Sequence, residues 1–286
     1  MTEQHKGMLA MAACAFLWSI GGIFIKLIPW NAFVLAGIRS LIAGLVVLVY
    51  ILVKRIPMTC NKKTLFIAVT QASTYLLFVL ATKLTTAANA IVLQYAAPVF
   101  ILLYGALVRK EKFRAGDYLV VLMTFLGIGI CFLTQLGGGS LGGNLVALLS
   151  SLTFAGIFLA NENVTKQERI NGSLQGQLLT ALVGVPFMAF NPTPVTGQTV
   201  LFILILGVLQ LGIPFLLYAY ALARAKPLVC VLLAVIEPLF NPVWVALFYG
   251  EKPGTLALVG SAIVSLSITA WCVYNERHKV PETAAT

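Results

Sequence analysis

Residues 98–112 read Pro98-Val-Phe-Ile-Leu-Leu-Tyr-Gly-Ala-Leu-Val-Arg-Lys-Glu111-Lys112, and residues 238–252 read Pro238-Leu-Phe-Asn-Pro-Val-Trp-Val-Ala-Leu-Phe-Tyr-Gly-Glu251-Lys252. At this offset of 140 positions, six of the 15 pairs are identical: Pro, Phe, Ala, Leu, Glu and Lys. Shared Leu and Ala carry little weight in apolar sequence, so the match rests on the proline and on the Glu-Lys spacing. Near the start of each half, Gly7 to Trp18 and Gly143 to Phe154 repeat one glycine-to-aromatic interval. The chain reads as two halves, and the number of membrane crossings in each half decides how they are related.

Composition supplies that number. The chain has 286 residues, 60% hydrophobic and 10% charged, whereas globular averages are ~45–50% apolar and ~25% charged. No charge occurs from Tyr118 to Asn161 (44 residues) or from Ile170 to Ala223 (54 residues). A bilayer-spanning helix takes ~20 mostly apolar residues, so each stretch holds two spans and a turn. This profile excludes a soluble enzyme, a disordered chain and a nucleic-acid binder, despite a net charge of +10. Apolar runs between charges and turn residues predict an all-α membrane protein. Its ten spans are expected near 7–27, 31–53, 64–83, 87–108, 115–135, 143–163, 173–190, 199–223, 228–249 and 254–274.

Lys and Arg set the orientation. With the N-terminus cytoplasmic, 15 of the 19 basic residues fall on inside segments, in groups such as Lys54, Arg55, Lys62 and Lys63 or Arg109, Lys110, Lys112 and Arg114. Lys26, Lys83 and Lys252 fall outside, and Arg39 lies within a span. This is the bias of the positive-inside rule, and it predicts N-in and C-in. Each half then holds five spans, an odd number, so the halves cross the membrane in opposite senses as inverted repeats. The expected units are 1–137 (spans one to five), 138–280 (spans six to ten, inverted) and a cytoplasmic tail at 281–286. Residues 1–28 also resemble a signal peptide, but the apolar run exceeds a typical h-region of ~7–15 residues. The repeat also needs this span as partner of the sixth, so it is expected to be retained. With two His, both near the termini, imidazoles alone assemble no zinc site. Five Cys, four of them in apolar segments, argue against a disulfide framework; Cys60 is the one expected at the cytoplasmic side.

With these motifs in order, the chain resembles the ten-helix drug/metabolite transporter superfamily, specifically the EamA-type permeases. The resemblance is carried by Ala-Phe-Leu-Trp18-Ser19 in span one and Gly-Ile-Arg39 in span two. It continues in Gln94-Tyr-Ala-Ala-Pro98-Val-Phe leading to Glu111, and in Glu237-Pro238-Leu-Phe leading to Gly250-Glu251. It covers essentially the whole chain. The resemblance implies a secondary transporter in the cell (inner) membrane, moving a small metabolite by alternating access between the two halves. Its members include amino-acid exporters, sugar-related transporters and choline-type permeases, so it leaves the substrate open; an exporter of an amino acid or amine-like compound is the expectation. Phe154 stands in span six where many members have Trp.

Two formally charged side chains lie well inside spans, Arg39 and Glu237. A charge at the bilayer centre costs ~2.5–3.5 kcal/mol on insertion scales, which marks both as functional candidates. Glu237 reads either as a proton carrier or counter-charge facing the substrate path, or as a structural partner of Arg39. Arg39, a third of the way in from the outer side, either snorkels outward or meets a partner within the bundle. Two prolines add polar groups, because Pro98 frees the carbonyl of Gln94 and Pro214 frees that of Gln210. Gln210, Pro214 and Tyr218 share a face at spacings of four, as do Gln71 and Tyr75, and as do Glu237, Asn241 and Trp244. Each glutamine alone fits interhelical hydrogen bonding. As a set, Trp18, Gln71, Tyr75, Gln94, Tyr95, Gln210, Tyr218 and Glu237 form the expected lining of the substrate path. Trp18 and Tyr75 are placed to hold an ammonium group by cation–π attraction, or to pack against a neighbouring helix. Gly21-Gly22, Gly127 and Gly129 are expected where helices approach closely. Gly137–Gly143 is the expected flexible link between halves.

The sequence lacks His-Glu-x-x-His, Gly-x-Ser-x-Gly and any pair of intramembrane aspartates, which argues against an enzyme, and no cofactor or metal is implied. A passive channel and a lipid flippase share the same composition and remain as alternatives. The partners expected are a small-molecule substrate, the lipid bilayer and protons as coupling ion; no nucleic acid is expected. Monomer and homodimer fit equally.

Overall fold

The computed structural model describes residues 2–110, 112, 115–133, 141–162, 164–222, 224–225, 233–234, 236–250 and 254–277. Glu111, Glu251, Lys252, most of the Gly137–Gly143 link, the start of the expected ninth span and the tail 281–286 lie outside the described residues. Most of those described are helical, with no strand among them. The helices are α1 (Glu3–Ser19), α2 (Gly21–Leu27), α3 (Ala32–Val53), α4 (Lys62–Leu84), α5 (Ala87–Gln94), α6 (Ala97–Leu107) and α7 (Ala115–Leu133) in the first part of the chain. The second part holds α8 (Leu141–Ala160), α9 (Lys166–Gly184), α10 (Gly197–Leu204), α11 (Ile213–Leu222), α12 (Ile236–Phe248) and α13 (Thr255–Arg277). A short 3-10 turn (Val185–Ala189) follows α9, and a π-helical stretch (Ile205–Gly212) joins α10 to α11.

By length and composition, six helical stretches are apolar enough to cross a membrane: Glu3–Leu27, Ala32–Val53, Lys62–Leu84, Ala87–Leu107, Leu141–Ala160 and Gly197–Ala221. Ala115–Ile130, Ile236–Phe248 and Leu258–Trp271 are shorter apolar helices. The exposed residues are those a lipid would solvate. On α3, Leu41, Leu45, Val49 and Leu52 form one exposed stripe, while Arg39, Ser40 and Gly44 are buried. An apolar surface of this extent would be a liability in water and is the natural exterior in a bilayer.

The expected seventh span is where helix and sequence reading differ. The helix runs from Lys166 to Gly184 rather than over 173–190. Thr165 and Glu168 form a reciprocal capping box that starts it early, and Pro186 in the following turn ends it. It carries Asn171, Ser173, Gln177 and Thr180 buried, and it is accommodated because glycines let it approach α4 and α3. A Cβ on Gly172 or Gly176 would meet Ile67 or Gln71, and one on Gly37 would come within 2.7 Å of the Val185 backbone nitrogen.

Packing follows a simple scheme. α4 lies against α8 and α9; α3 lies against α9 and the π-helical stretch; α1 lies against α11 and α12; α5 and α6 lie against α8; α7 lies against α13. The main core gathers Ile25, Leu35, Val79, Ile91, Leu93, Ala147 and Leu206 where α2, α3, α4, α5 and α8 meet the π-helical stretch. Gly127 sits against Gly260 and Val264 of α13, the close approach expected of it, whereas Gly129 has nothing within 4 Å of a built Cβ and serves no such contact.

This contrast is testable. Gly184→Ala drives a methyl into the Phe33 carbonyl oxygen and the Gly37 backbone, and overpacking of this kind costs ~1–3 kcal/mol. The thermal midpoint of the purified protein should fall for Gly184→Ala and stay level or rise for Gly129→Ala. A second prediction concerns acid. The Thr165 backbone N–H, and then the Asn61 amide, hold the Glu168 carboxyl below the usual carboxylate range. A lowered folded value means that this cap stabilises in full above the unfolded value of ~4.3 and is lost as pH falls through the folded value. Between about pH 5 and about pH 3, Glu168→Gln should lose less of its thermal midpoint than the unsubstituted protein; equal losses would remove Glu168 from the acid response.

Candidate functional site

Polar groups at membrane depth are tolerated when partnered within the protein or lining a wet cavity, so their hydrogen bonds map the interior surfaces of interest. One cluster forms where α5 breaks. Tyr95 caps α5, and α6 restarts at Ala97 with Pro98 in its first turn, where the missing N–H of proline costs nothing. The break turns the Tyr95 hydroxyl toward the first turn of α12. There its oxygen lies 2.8 Å from Glu237 Oε2 and 3.1 Å from the Ala234 carbonyl oxygen, so two acceptors share one phenolic proton. Trp18 and Tyr218 meet at 5.7 Å between ring centroids, and with Leu233 and Ala234 they pack around buried Met11, Ala221 and Ala225. Tyr95 bonds Glu237 and Ala234, and Ala234 shares the core of Met11, Ala221 and Ala225 with Trp18 and Tyr218, so the four site residues fall in one neighbourhood. Beside it, Trp244 Nε1 donates to Ser19 Oγ at 2.9 Å, and Asn241 is buried against Gly22.

The second cluster surrounds Arg39. This side chain is 1% exposed; its Nη1 donates to Gln210 Oε1 at 3.3 Å, and its guanidinium carbon lies 5.8 Å from the centre of the Tyr75 ring. The Gln71 amide donates to Tyr75 Oη at 2.6 Å and to Ser173 Oγ at 2.9 Å. Arg39 neither snorkels outward nor pairs with Glu237; it turns into the bundle, and the two intramembrane charges have different partners. Gln210 sits in the π-helical stretch just before Pro214. Proline removes one helical hydrogen bond, and the Pro214 carbonyl itself accepts from Cys14 Sγ at 3.3 Å.

The residues expected to line one path therefore fall into two groups. Trp18, Tyr95, Tyr218 and Glu237 form the first; Gln71, Tyr75 and Gln210 join Arg39 in the second. Gln94 belongs to neither, since its amide donates to Ser150 Oγ at 2.9 Å on α8, the interhelical bond that a lone glutamine favours. Ser19, Ser150, Ser173 and Gln177 were not singled out from sequence. For Ser173 and Gln177 a signal was present: α9 is rich in amides and hydroxyls within an otherwise apolar, charge-free stretch. At the chain's ends and loops, polar contacts link the same helices again. Arg109 pairs with Glu162, Arg224 Nε with Glu3 at 3.0 Å, Asn61 with Glu168 at 2.9 Å, and Trp30 Nε1 with the Pro194 carbonyl at 2.8 Å. Among the described residues no group of His, Cys, Asp and Glu is placed to hold a metal ion.

Known proteins align with the chain along its length. The EamA-like transporter family matches twice, over residues 5–133 and 141–271. An uncharacterized transporter of Archaeoglobus fulgidus is 24% identical over 91% of this chain and 95% of its own length. Protein RarD of Salmonella typhimurium is 25% identical over 97% of this chain and 99% of its own. A protein of known crystal structure is similar in fold, with a TM-score of 0.66 over 96% of this chain and 99% of that one, at 18% identity.

Removing the Gln71 amide tests whether the second cluster holds helices together. Gln71→Leu leaves Ser173 Oγ and Tyr75 Oη without a donor, and an unsatisfied buried polar group costs ~1–3 kcal/mol. Thermal unfolding should show that loss, and Ser173→Ala added to Gln71→Leu should recover part of it. Strict additivity of the two substitutions would show that the bond is not made.

Proposed function

This chain belongs to the EamA-like transporter family, and from that premise we propose that it is a secondary transporter of a small amino acid or amine-like metabolite. It is a multi-pass membrane protein, and family and relatives point to transport rather than to an enzyme. The reading places ten spans in the cytoplasmic (inner) membrane as two inverted repeats, N-in and C-in, working by alternating access with export as the direction. The family resemblance fits export and uptake alike, and export is the direction we propose.

The packing scheme supports a two-fold relation between the halves, and five spans in each half make it an inverted one. If spans one to five correspond to six to ten, span three lying against six and seven answers span eight lying against one and two. Span four against six answers nine against one, and five against ten is its own counterpart. The family's double match divides the chain at the same place.

The observation that carries the function is the Tyr95–Glu237 bond between the two repeats. Glu237 is held by a neutral hydroxyl, and the paired rings of Trp18 and Tyr218 share a core with Ala234, the other acceptor of that hydroxyl. A phenol partners a carboxylate without neutralising it, so a cation or a proton is the natural exchange partner at this position. In the cycle we envisage, an ammonium group or a proton takes the place of the Tyr95 hydroxyl at Glu237 Oε2. Loss of that cross-repeat bond frees the halves to rock, while the polar contacts at Arg109–Glu162, Arg224–Glu3 and Trp30–Pro194 open and close at the mouths.

The test is counterflow in liposomes, using compounds first picked by thermal shift from amino acids and quaternary amines. Saturable counterflow is expected. Truncating one partner of a buried charge contact costs ~2–5 kcal/mol, so Glu237→Gln should lower the rate by about tenfold or more. Unchanged counterflow in Glu237→Gln would remove this residue from the mechanism, and flux that never saturates would mean a channel.

A further inference from the structure

Of the two charges well inside spans, Arg39 is the buried one and the one whose balance is incomplete. Its guanidinium carries five N–H donors, yet among the described residues Nε has no hydrogen-bond partner and the side-chain acceptor is the neutral Gln210 amide. Gln177 stands beside the same Tyr75 that Arg39 approaches. It is 0% exposed, and neither its amide nitrogen nor its amide oxygen makes a hydrogen bond of good geometry. A buried cation normally has a carboxylate to balance it. The described carboxylates are all engaged elsewhere: Glu3 with Lys6 and Arg224, Asp117 with Trp271, Glu162 with Arg109, Glu168 with Asn61, Glu237 with Tyr95. The other four, Glu111, Glu251, Glu276 and Glu282, come in sequence at or after the ends of α6, α12 and α13, whereas Arg39 lies seven residues into α3, about 10 Å along it.

We propose that Arg39, with Gln210, Tyr75 and Gln177 around it, is the subsite for a single carboxylate group on the transported metabolite. This deepens the transporter reading and rests on it. One guanidinium among amides and apolar rings balances a monoanion; a phosphate dianion would leave a net charge buried. The planar fork of arginine matches a carboxylate in two hydrogen bonds, and Nε is the donor left without a partner. The unpartnered Gln177 amide then supplies a third donor. The two clusters are neighbours through α2: the Gln210 amide lies against Gly21, and Asn241, one turn from Glu237, lies against Gly22. A small molecule bearing a carboxylate and an ammonium group would meet Arg39 with one end and Glu237 with the other. The substrate class is thus a zwitterion with an apolar side chain rather than a simple amine.

Matched compounds separate these classes. Full-length protein purified in detergent is titrated with L-phenylalanine, phenethylamine and 3-phenylpropionate, and with L-leucine, isoamylamine and 4-methylpentanoate, reading thermal midpoint. The carboxylate-bearing members should stabilise at lower concentration than the matched amines. Arg39→Gln should weaken the apparent affinity for the amino acids by roughly 10- to 100-fold, the span of a hydrogen bond to a charged group, and leave that for the amines unchanged. Gln177→Met should weaken carboxylate binding while raising the midpoint without ligand, because an unsatisfied amide is removed. Arg39→Lys, which keeps the charge and loses the fork, should fall between. The proposal is overturned if no carboxylate stabilises the protein, or if amines and amino acids bind alike. It is equally overturned if the carboxylate preference survives in Arg39→Gln or, where that variant does not fold, in both other variants. Binding needs no transport, so the two readings fail separately. Arg39-dependent binding with no counterflow would sink the carrier, and Glu237-dependent counterflow of amines alone would sink the subsite.

Discussion

A polar group at bilayer depth has no water to turn to, so the bundle must supply its partner, and most of the architecture follows from that constraint. The exterior is given to leucine and phenylalanine, and amides, hydroxyls and the guanidinium are turned inward. Lipid tails are as apolar as these side chains, so burying apolar surface does not drive the helices together; close backbone approach and interhelical hydrogen bonds do. Both are present at the same crossings. Glycines at positions 37 and 184 bring α3 onto α9, and Gly176 brings α9 onto α4 beside Gln71. Gln71–Ser173, Thr74–Thr153, Thr85–Asn144 and Gln94–Ser150 then bond residues before 133 to residues after 141. Each such bond contributes only ~0.6 kcal/mol on average. An interface made of many weak, exchangeable bonds and smooth glycine surfaces holds firmly, yet can shift one contact at a time.

Irregular backbone is governed by the same constraint, and it coincides with the candidate site. Helix is interrupted at Ile20, at Tyr95–Ala96, at the 3-10 turn after Gly184 and in the π-helical stretch before Pro214. Freed carbonyls and amides at this depth are tolerable only in contact with other protein or with a wet cavity. The residues of interest lie at these breaks: Trp18 and Ser19 precede the first, Tyr95 forms the second, and Gln210 occupies the last. Proline explains two of them directly, since Pro98 and Pro214 each lack the N–H that an unbroken helix needs.

How much of this was legible in the sequence depends on how local each cause is. Charge-free stretches and the repeated Pro and Glu-Lys spacing were enough for an all-helical membrane chain in two related halves. Glu237 and Arg39 stood out because a charge in an apolar run is conspicuous on its own. Their partners were not legible: Arg39 and Gln210 are 171 positions apart, and their meeting depends on the α3 crossing, which glycines on three helices determine jointly. The seventh helix starts earlier than the apolar run alone indicates, because the Thr165–Glu168 capping box begins it at Lys166. The closeness of Gln210 to Gly21, and of Asn241 to Gly22, shows the remaining gap. Sequence can say that a glycine permits an approach, and only the fold says that a polar side chain fills it.

On the proposed reading, the two charges well inside spans also decide what transport costs electrically. Arg39 lies in the first repeat and Glu237 in the second, and together they sum to zero. A zwitterion held between them keeps that sum at zero, so its passage does no work against the membrane potential. An amine without a carboxylate adds one positive charge, and moving it outward against an interior-negative potential costs ~2.3 kcal/mol per 100 mV. Exchange for one proton at Glu237 cancels that cost, since one positive charge leaves as another enters. With a zwitterion the same exchange carries a net inward charge and adds driving force for export. A carboxylate subsite at Arg39 therefore changes more than selectivity: it turns proton exchange at Glu237 from an electrical compensation into a source of energy.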